Sequence, residues 1–228
     1  MSRQESSRSD PEFQLREALA GIGKAVGHPH RMRILELLAQ RDYRVEQLAA
    51  LTDLNMASTS QHLQHLRRAR LITARRDGRQ MIYRLTDERI VDLLGLIRDI
   101  AQSQLAEVER LLGQLFPAGG VEQPTEIMSR EALLQGLQTG SVMLLDVRPE
   151  AEYQAGHLPG AHHLELGELE AHLHELPADQ TIVAYCRGPY CTLSQKAIEH
   201  LQRHGYRVAR LAEGFPEWKR AGLPVERC

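Results

Sequence analysis

A segment rich in proline and glycine, Pro117–Pro124 (PAGGVEQP), separates two stretches of different sequence texture. Before it, apolar residues recur at three- and four-residue steps, which is typical of amphipathic helices. After it, short apolar runs such as Val142–Val147 alternate with helical stretches, which is typical of an α/β domain with a mainly parallel sheet. At about 150 residues per domain, 228 residues leave room for two. We therefore predict two domains, 1–117 and 125–228, joined by a linker at 118–124.

Charged residues are unevenly distributed between these two parts. Residues 1–116 contain 18 Lys and Arg against 15 Asp and Glu, whereas residues 117–228 contain 10 against 15. The basic excess is concentrated between Gln61 and Thr86, where seven arginines accompany a single acid, Asp77. A local concentration of arginine favours a nucleic-acid-binding surface in the first part.

All three cysteines, Cys186, Cys191 and Cys228, lie in the second part. Three cysteines argue against a disulfide framework and favour reactive thiols. The segment Met1–Pro11 is polar, and no run approaches the roughly 18 apolar residues of a membrane span. We expect a soluble, cytoplasmic protein without a membrane partner.

Two helices joined by a short turn are predicted in the first part. Val45–Ala50, the turn Leu51–Asn55 and a helix beginning at Met56 have the spacing of a helix-turn-helix. In that motif the N-terminal end of the second helix enters the DNA major groove, where hydroxyl and amide side chains reach phosphates and base edges. The side chains predicted to contact DNA there are Ser58, Thr59, Ser60, Gln61 and His62.

A basic hairpin is predicted directly after these helices. The strands 71–76 and 80–85 flank Asp77-Gly78, which we expect to supply the positive φ angles of a tight turn. Arginines on a hairpin usually do no more than face the solvent. On a hairpin that follows a helix-turn-helix, however, they are typical of a wing that contacts phosphates. The predicted wing contacts are Arg75, Arg76, Arg79 and Gln80.

Two motifs in this part resemble the ArsR/SmtB family of regulators. Gly27–Leu35 (GHPHRMRIL) is similar to the family's H-P-x-R-x-x-I-L entry, and Ala57–Leu71 (ASTSQHLQHLRRARL) is similar to its recognition helix. The similarity extends from about Phe13 to Leu112. It implies a homodimer, paired through the first and last helices, that binds double-stranded operator DNA and represses transcription until an effector binds. The predicted last helix, Arg89–Leu115, is long enough to pair, although its apolar stripe could equally be ordinary core.

The sequence departs from the metal-sensing members of that family. Those members carry a Cys-x-Cys pair in the helix before the turn, where this chain has Tyr43–Leu48 (YRVEQL), and no cysteine precedes Cys186. Other members use Asp and His across the last helix, and Ile90–Leu115 contains no His. We expect no metal and no cofactor, so the signal must arise elsewhere.

A cysteine in the second part stands between a strand and a helix. Tyr185–Leu193 (YCRGPYCTL) contains a strand end, Cys186, a Gly/Pro loop and the start of a helix. That order surrounds the sulfur with backbone N–H groups and a helix N-terminus, which lowers a thiol pKa and makes it nucleophilic. A lone cysteine is more often a small apolar residue in a turn, but its neighbours favour the nucleophile.

Those neighbours resemble the rhodanese signature. Leu145–Glu150 (LDVRPE), Glu152–His162 (EYQAGHLPGAH) and Gly214–Val225, with its G-x-x-x-W and G-L-P-V elements, match it. The similarity covers about Thr125 to Glu226. It implies a single rhodanese domain in which Cys186 takes sulfane sulfur from thiosulfate, a persulfide or polysulfide and passes it to a thiol acceptor or cyanide. The loop amides between Arg187 and Thr192 would stabilise the anionic persulfide. Further residues assigned to the site are the loop members Gly188 and Tyr190, and Asp146 and Arg148, which are expected to brace the loop.

The loop differs from the usual rhodanese pattern C-x-x-G-x-[RTS]. Its glycine comes one position early, Pro189 follows, and Cys191 occupies the sixth position. Arg187 is the only cation in the loop, which weakens the case for turnover with thiosulfate. Cys191 is either a resolving thiol that closes a disulfide with Cys186 or a replacement for Ser/Thr.

Two other site types are disfavoured by the same residues. A phosphatase of this fold needs C-x5-R, and the residue in the arginine position is Thr192. Five histidines suggest a metal cluster by number, but two of them belong to the rhodanese signature and we expect the others on an exposed helix or loop. They are His157, His162, His163, His172 and His174.

The preferred hypothesis combines both parts. It describes a multidomain chain, an α winged helix-turn-helix with a β wing followed by an α/β rhodanese, that regulates transcription and transfers or senses sulfane sulfur through a Cys186 persulfide. One alternative is a sulfurtransferase whose DNA-binding part only positions the enzyme at a locus or holds it as a dimer. Another is a repressor whose rhodanese domain is catalytically silent.

Overall fold

The structure, a computed structural model, describes residues 10–116 and 125–228. Contacts between Cα atoms divide the chain into two compact units, Met1–Ile90 and Val91–Cys228. Each unit is described by itself below. The predicted linker at 118–124 lies outside the described residues, so the domain limits 1–117 and 125–228 stay a prediction. Within the described residues no helix is both long and apolar enough to span a membrane.

Within its described residues, the first unit contains four complete helices and a small antiparallel sheet, in the order α1, α2, β1, α3, α4, β2, β3. The bounds are α1 Pro11–Val26, α2 Pro29–Gln40, β1 Tyr43–Arg44, α3 Val45–Thr52, α4 Met56–Arg68, β2 Ile72–Asp77 and β3 Gln80–Leu85. The core is formed by apolar side chains from α2, α3 and α4, among them Leu35, Leu48 and Leu66, which are fully buried. The predicted helix-turn-helix and hairpin are confirmed.

Local chemistry fixes the limits of these helices. Helix α3 ends where Asp53 adopts a left-handed conformation (φ 54°). Helix α4 then begins at an N-cap, Asn55, whose side chain accepts a hydrogen bond of 2.8 Å from the amide of Ser58. Two residues therefore set the angle at which α4 leaves the turn.

The wing differs from the prediction by one residue. Asp77 still pairs with Gln80 in the β2–β3 ladder, so the two-residue loop is Gly78-Arg79 rather than Asp77-Gly78. Of these two loop residues, Gly78 alone has a positive φ (60°), which is typical of a turn with glycine at its first central position. The unpredicted strand β1 pairs with β3 and completes a three-stranded sheet.

Helix α5 (Arg89–Gln104) crosses the boundary between the two units. It begins near the end of the first unit and continues into the second. The predicted single helix Arg89–Leu115 is wrong, because the structure has two helices, α5 Arg89–Gln104 and α6 Ala106–Leu115. Leu105 between them is extended (φ −113°, ψ 103°). Apolar periodicity could not locate this break, since Leu105 is neither glycine nor proline and itself belongs to the apolar stripe.

A five-stranded parallel sheet forms the centre of the second unit, with strand order β4-β8-β7-β5-β6. Helices and loops pack on both faces, and all five residues of β5 are buried, which explains why its first four residues are apolar. The bounds are β4 Glu126–Met128, α7 Arg130–Thr139, β5 Val142–Asp146, α8 Glu150–Ala155, β6 His162–His163, a 3₁₀ helix Leu173–Glu175, β7 Thr181–Tyr185, α9 Thr192–Arg203, β8 Val208–Leu211 and α10 Phe215–Arg220.

One predicted helix of this unit, Leu166–His174, is wrong. The chain there forms successive turns closed by i to i+3 hydrogen bonds, followed by the 3₁₀ helix. Leu166, Leu169 and Leu173 contact the apolar core all the same. Their three- and four-residue spacing suits a series of tight turns as well as an α-helix, which is why the pattern was misleading.

Candidate functional site

The start of helix α4 presents the polar side chains predicted to contact DNA. Ser58 and Ser60 are partly exposed and Gln61 is exposed. Thr59 differs from the expectation, because its side chain is fully buried and its hydroxyl donates to the carbonyl of Asn55 at 2.9 Å. Its position in α4 directs it inward, so it supports the helix instead of facing a groove.

His62 lies in a cluster of histidine rings that the sequence did not suggest. Its ring centroid is 4.5 Å from that of His28 and 5.7 Å from that of His30, both at the start of α2. Burial, with smaller contributions from neighbouring positive charge, lowers the pKa of His28 and of His62. Lower pKa values favour the neutral imidazoles of His28 and His62, whose rings pack against each other.

The wing residues are exposed as predicted, and they carry three arginines on one hairpin. Arg75, Arg76, Arg79 and Gln80 are all exposed. Arg76 donates to the carbonyl of Gly78 at 3.0 Å and thereby steadies the turn, whereas Arg75 lies 4.0 Å from Asp42 in a weak ion pair. Arg79 occupies the tip of the wing, where a phosphate contact is sterically simplest.

The second unit places Cys186 directly after β7 and Cys191 directly before α9. The two cysteines are joined by a disulfide bond, with their Cα atoms 6.2 Å apart. Cys186 is almost completely buried, and Cys191 is the N-cap residue of α9. The sulfur of Cys186 therefore lies near the positive end of a twelve-residue helix, where a thiolate or persulfide anion is stabilised. Cys228 is an exposed free cysteine.

The loop between the two cysteines is held by its own backbone and by the next strand. The amide of Cys191 donates to the carbonyl of Gly188 at 3.1 Å. This amide is among those predicted to bind an anion, and its hydrogen bond is made within the loop. Arg210 of β8 donates to the carbonyl of Pro189, and Thr192 is the first residue of α9. The loop is thus a compact turn that leads from the sheet into the helix.

Asp146 and Arg148 form a fully buried ion pair at the end of β5. Arg148 donates to both carboxylate oxygens of Asp146 and to the carbonyl of Gly156, at 2.6–3.1 Å. Tyr185, which precedes Cys186, donates to Asp146 at 2.5 Å and accepts from the amide of Leu158 at 3.1 Å. These contacts hold Tyr185, the residue next to Cys186, and the role of Asp146 and Arg148 in bracing the loop stays a prediction.

Two groups in this network have altered pKa values. Burial raises the pKa of Tyr185 well above its usual value, and the neighbouring negative charge of Asp146 raises it further. Burial alone would lower the pKa of Arg148, but its hydrogen bonds to Asp146 and the charge of that carboxylate raise it. Both side chains therefore keep their protons throughout the neutral range.

The loop cation, Arg187, is engaged in an ion pair with another element. Arg187 is bound to Glu152 of α8 through three hydrogen bonds of 2.7–3.0 Å, and the two side chains are only 11% and 2% exposed. Glu152 belongs to the rhodanese-like sequence pattern, but nothing in that pattern indicated its partner.

A second set of residues near the loop was also missed. Tyr190 donates to Gln102 of α5 at 3.0 Å, and the guanidinium of Arg98 lies 5.5 Å from the centre of the Tyr190 ring. Arg98 also contacts Glu217 at 3.3 Å, and Glu217 accepts from the amide of Gly214 at 3.1 Å. These contacts could not be predicted from sequence patterns, because the residues are about 90 to 120 positions apart.

Gly214 packs against the cysteine loop too closely for any side chain. A Cβ atom at this position would lie 2.4 Å from the amide nitrogen of Gly188 and 2.6 Å from the carbonyl carbon of Arg187. Only glycine permits this approach, which explains the glycine at the start of the C-terminal rhodanese-like motif.

Comparisons with known proteins agree with this geometry. The model of the bacterial regulatory protein, arsR family, matches residues 28–74, and that of the rhodanese-like domain matches residues 129–221. An HTH-type transcriptional regulator of Mycobacterium tuberculosis, Rv0324, is 39% identical over 221 residues, covering 97% of this chain and 96% of that protein.

Separate relatives match the two parts of the chain. The homodimeric winged helix-turn-helix DNA-binding domain of Mb0332 from Mycobacterium bovis is 35% identical, covers 43% of this chain and 92% of that one, and has a TM-score of 0.40. A sulfurtransferase of Allochromatium vinosum is 37% identical over 97 residues, covering 42% of this chain and 89% of that protein. With its helix-turn-helix, its wing and its rhodanese sheet, this chain belongs to the ArsR family of bacterial transcriptional regulators and carries a C-terminal rhodanese domain.

Proposed function

We propose that this regulator represses transcription and senses sulfane sulfur at Cys186, and that the sulfur-modified state binds operator DNA more weakly. The observation that carries the proposal is the cysteine pair: a buried Cys186 at the end of a strand, with Cys191 close enough for a disulfide at the N-terminus of α9. In this proposal residues 1–117 serve DNA binding and dimerisation, and residues 125–228 serve sulfur chemistry. A regulator of this kind works in the cytoplasm, where its operator is.

The chemistry proceeds in two balanced steps. First, the Cys186 thiolate attacks the outer sulfur of a persulfide or polysulfide donor; the S–S bond of the donor breaks, and the donor leaves as a thiolate. Second, the Cys191 thiolate attacks the sulfur of Cys186 in the Cys186 persulfide and expels hydrosulfide, which leaves a disulfide. The transferred sulfur atom is reduced to sulfide and the two cysteine thiols are oxidised, so no further oxidant is needed.

The surroundings of the loop favour this sensing role over rapid turnover. Because Glu152 binds Arg187, the only cation of the loop is committed to an internal ion pair. A small dianionic donor such as thiosulfate gains little from it, whereas a persulfide or polysulfide needs only an accessible thiolate. Cys191 as a resolving thiol also suits a switch, since it ends the reaction in a stable state.

Contacts of the loop with helix α5 offer a route from the cysteines to the DNA-binding part. Tyr190, between the two cysteines, is bonded to Gln102, and Arg98 interacts both with the Tyr190 ring and with Glu217. Burial raises the pKa of Tyr190, so its phenol keeps the proton that it donates. A loop rearranged by sulfur changes what α5 contacts, and α5 follows the wing directly in the chain. We propose the cysteine loop and α5 together as the two-state element that such coupling requires.

The proposed DNA contacts come from α4 and the wing. They are Ser58, Ser60, Gln61 and His62 on the helix and Arg75, Arg76, Arg79 and Gln80 on the hairpin, with Thr59 omitted because it is buried. The helix side chains are placed to contact base edges and phosphates, and the wing arginines to contact phosphates only.

A homodimer is part of the proposal. Large apolar side chains are exposed on α1, α5 and α6 and at the break between α5 and α6, namely Phe13, Leu15, Leu19, Leu96, Ile100, Leu105, Leu111 and Leu115. Exposed apolar surface of this extent marks an association site, and two-fold pairing would present two recognition helices to two operator half-sites.

Operator binding measured by fluorescence anisotropy tests the function. The reduced wild-type protein should bind an operator duplex from its own promoter region, and polysulfide should lower the affinity by at least about tenfold, which corresponds to about 1.4 kcal/mol. Cys186→Ser should bind equally with and without polysulfide, whereas Cys228→Ser, the matched control at the exposed free cysteine, should respond like wild type. Mass spectrometry should find one added sulfur on Cys186 in Cys191→Ser.

Different results would reject different parts of the proposal. Equal affinities in wild type and Cys186→Ser, with and without polysulfide, would contradict sulfur-gated repression. If Cys186 gains sulfur but operator affinity does not change, sensing fails and the sulfurtransferase with an accessory DNA-binding half is favoured. If Cys186 gains no sulfur, the rhodanese domain is silent toward sulfane sulfur.

A further inference from the structure

A cluster of metal-binding side chain types lies at the end of α9 that is remote from the cysteine loop. It consists of His200 in the last turn of α9, His204 directly after it, and Glu170 in the turns before the 3₁₀ helix. His200 Nε2 is 2.7 Å from one carboxylate oxygen of Glu170, and His204 Nε2 is 3.9 Å from the other. All three ligand atoms lie within 4.8 Å of one another, which is close enough for one ion to reach all three after small rotamer changes.

A backbone carbonyl holds one ring of this cluster in place. His204 Nδ1 is 2.9 Å from the carbonyl oxygen of His200. With Nδ1 engaged in this contact, Nε2 is the ring nitrogen on the side of Glu170, 3.9 Å from its carboxylate. A backbone carbonyl that orients the second nitrogen in this way is the usual outer-shell partner of a metal-bound histidine.

A second, independent observation concerns His200. Its Nε2 atom is buried, and although it lies 2.7 Å from Glu170, it makes no hydrogen bond of acceptable geometry. A buried ring nitrogen beside a carboxylate, without a proper hydrogen bond, is a position that a cation would satisfy. Histidines at positions i and i+4 lie on the same side of a helix, so both rings approach Glu170 together.

The charge distribution around the cluster also favours a cation. The last carbonyl groups of α9 give this end of the helix a partial negative charge. The guanidinium of Arg203, the last residue of α9, donates to the carbonyl of Glu199 at 3.1 Å. Glu170, a member of the cluster, adds the full negative charge of its carboxylate.

We propose that Glu170, His200 and His204 form a binding site for a divalent metal ion of the zinc type. Two imidazoles and one carboxylate form the donor set that Zn²⁺ and neighbouring first-row ions accept, with water in the remaining position, whereas Mg²⁺ and Ca²⁺ prefer oxygen ligands. The ion would tie the C-terminal end of α9 to the turns around Glu170. Since α9 begins at the residue after Cys191, the ion would anchor the helix on which the cysteine loop rests. The site uses none of the five histidines that the sequence suggested by number.

Zinc titration of the full chain tests this site. The protein is first oxidised to the Cys186–Cys191 disulfide and alkylated at Cys228, so that thiolates do not compete for the metal. Calorimetry should then show one Zn²⁺ per chain, and His204→Ala and Glu170→Gln should each weaken binding by at least about tenfold, as expected when a ligand is lost. His174→Ala, an exposed histidine of the same segment outside the cluster, is the matched control and should bind like wild type.

Co²⁺ gives a readout that does not depend on affinity alone. The wild-type protein loaded with Co²⁺ should show the visible absorption of a low-symmetry site with nitrogen and oxygen ligands, and His200→Gln should lose it while its circular dichroism stays unchanged. Equal zinc binding by wild type, His204→Ala and Glu170→Gln would overturn the proposal, as would the absence of binding by wild type. Neither result would affect the sulfur-sensing proposal, which is measured on Cys186.

Discussion

The guanidinium of Arg187 binds the carboxylate of Glu152 through hydrogen bonds of 2.7, 2.9 and 3.0 Å, and both side chains are nearly buried. The residue that follows the proposed nucleophile is thereby attached to α8, on the other side of the strand end. The cysteine loop is therefore held in place by helix α8 as well as by its own backbone hydrogen bonds.

Breaking this pair should destabilise the rhodanese part. Glu152→Gln and Arg187→Met should each lower the free energy of unfolding by about 3 kcal/mol, because each removes one charge of a nearly buried ion pair. The double variant should lose less than the sum of the two. Urea denaturation of all four proteins provides the double-mutant cycle, and additive losses would show that the contact is energetically unimportant.

Gly214→Ala should slow the sulfur chemistry. Its new Cβ atom would collide with the backbone of Gly188 and Arg187, so the loop must move by close to 1 Å. A displacement of this size can cost up to about a hundredfold in rate, and we expect persulfide formation at Cys186 to slow by at least about tenfold. Mass spectrometry of timed samples measures this rate. Gly167→Ala, where a Cβ would meet nothing within 4 Å, is the matched control and should react like wild type.

Alkaline pH should reveal the buried Tyr185. Its folded-state pKa is raised, so its contribution to stability is complete below the unfolded pKa of about 10 and is lost as pH rises through the higher folded value. Wild type should therefore lose stability above about pH 10 more steeply than Tyr185→Phe. At pH 7 the variant should be less stable by about 1–3 kcal/mol, because the amide of Leu158 loses its acceptor. Parallel pH profiles for the two proteins would contradict this reasoning.

Charge on the exposed face of α5 should weaken the proposed dimer. Ile100 is 62% exposed and Leu96 60% exposed, and an interface that covers them would bury any substituted carboxylate. Ile100→Glu should raise the dimer dissociation constant by at least about tenfold, measured by sedimentation equilibrium. Gln104→Glu, at an exposed polar position of the same helix, should leave it nearly unchanged. A monomeric wild-type protein would reject the dimer itself.

Arg79 should contribute to DNA affinity without contributing to sequence choice. Arg79→Ala should weaken binding to operator and to unrelated duplexes by similar factors and reduce the slope of log affinity against log salt by about one. Arg203→Ala removes an exposed arginine of the rhodanese part and should change neither quantity. An Arg79→Ala effect confined to the operator would mean that the wing tip reads bases.

The sequence by itself determined the two fold types, the helix-turn-helix, the five-residue strand Thr181–Tyr185 and the position of Cys186. These are local or periodic properties: burial of one helix face, burial of both faces of a strand, and glycine where a loop approaches closely. The motif residues Glu152 and Gly214 were visible too, but their partners were not.

Only the tertiary structure decided which distant groups meet. It turned Thr59 inward, divided the helix at Leu105, paired Arg187 with Glu152 and brought Glu170 to His200 and His204. Each of these depends on contacts between segments whose separation is set by the packing of whole elements. Periodicity in the sequence describes which side chains share a face of one helix or strand. It carries no information about the distance from that element to another element.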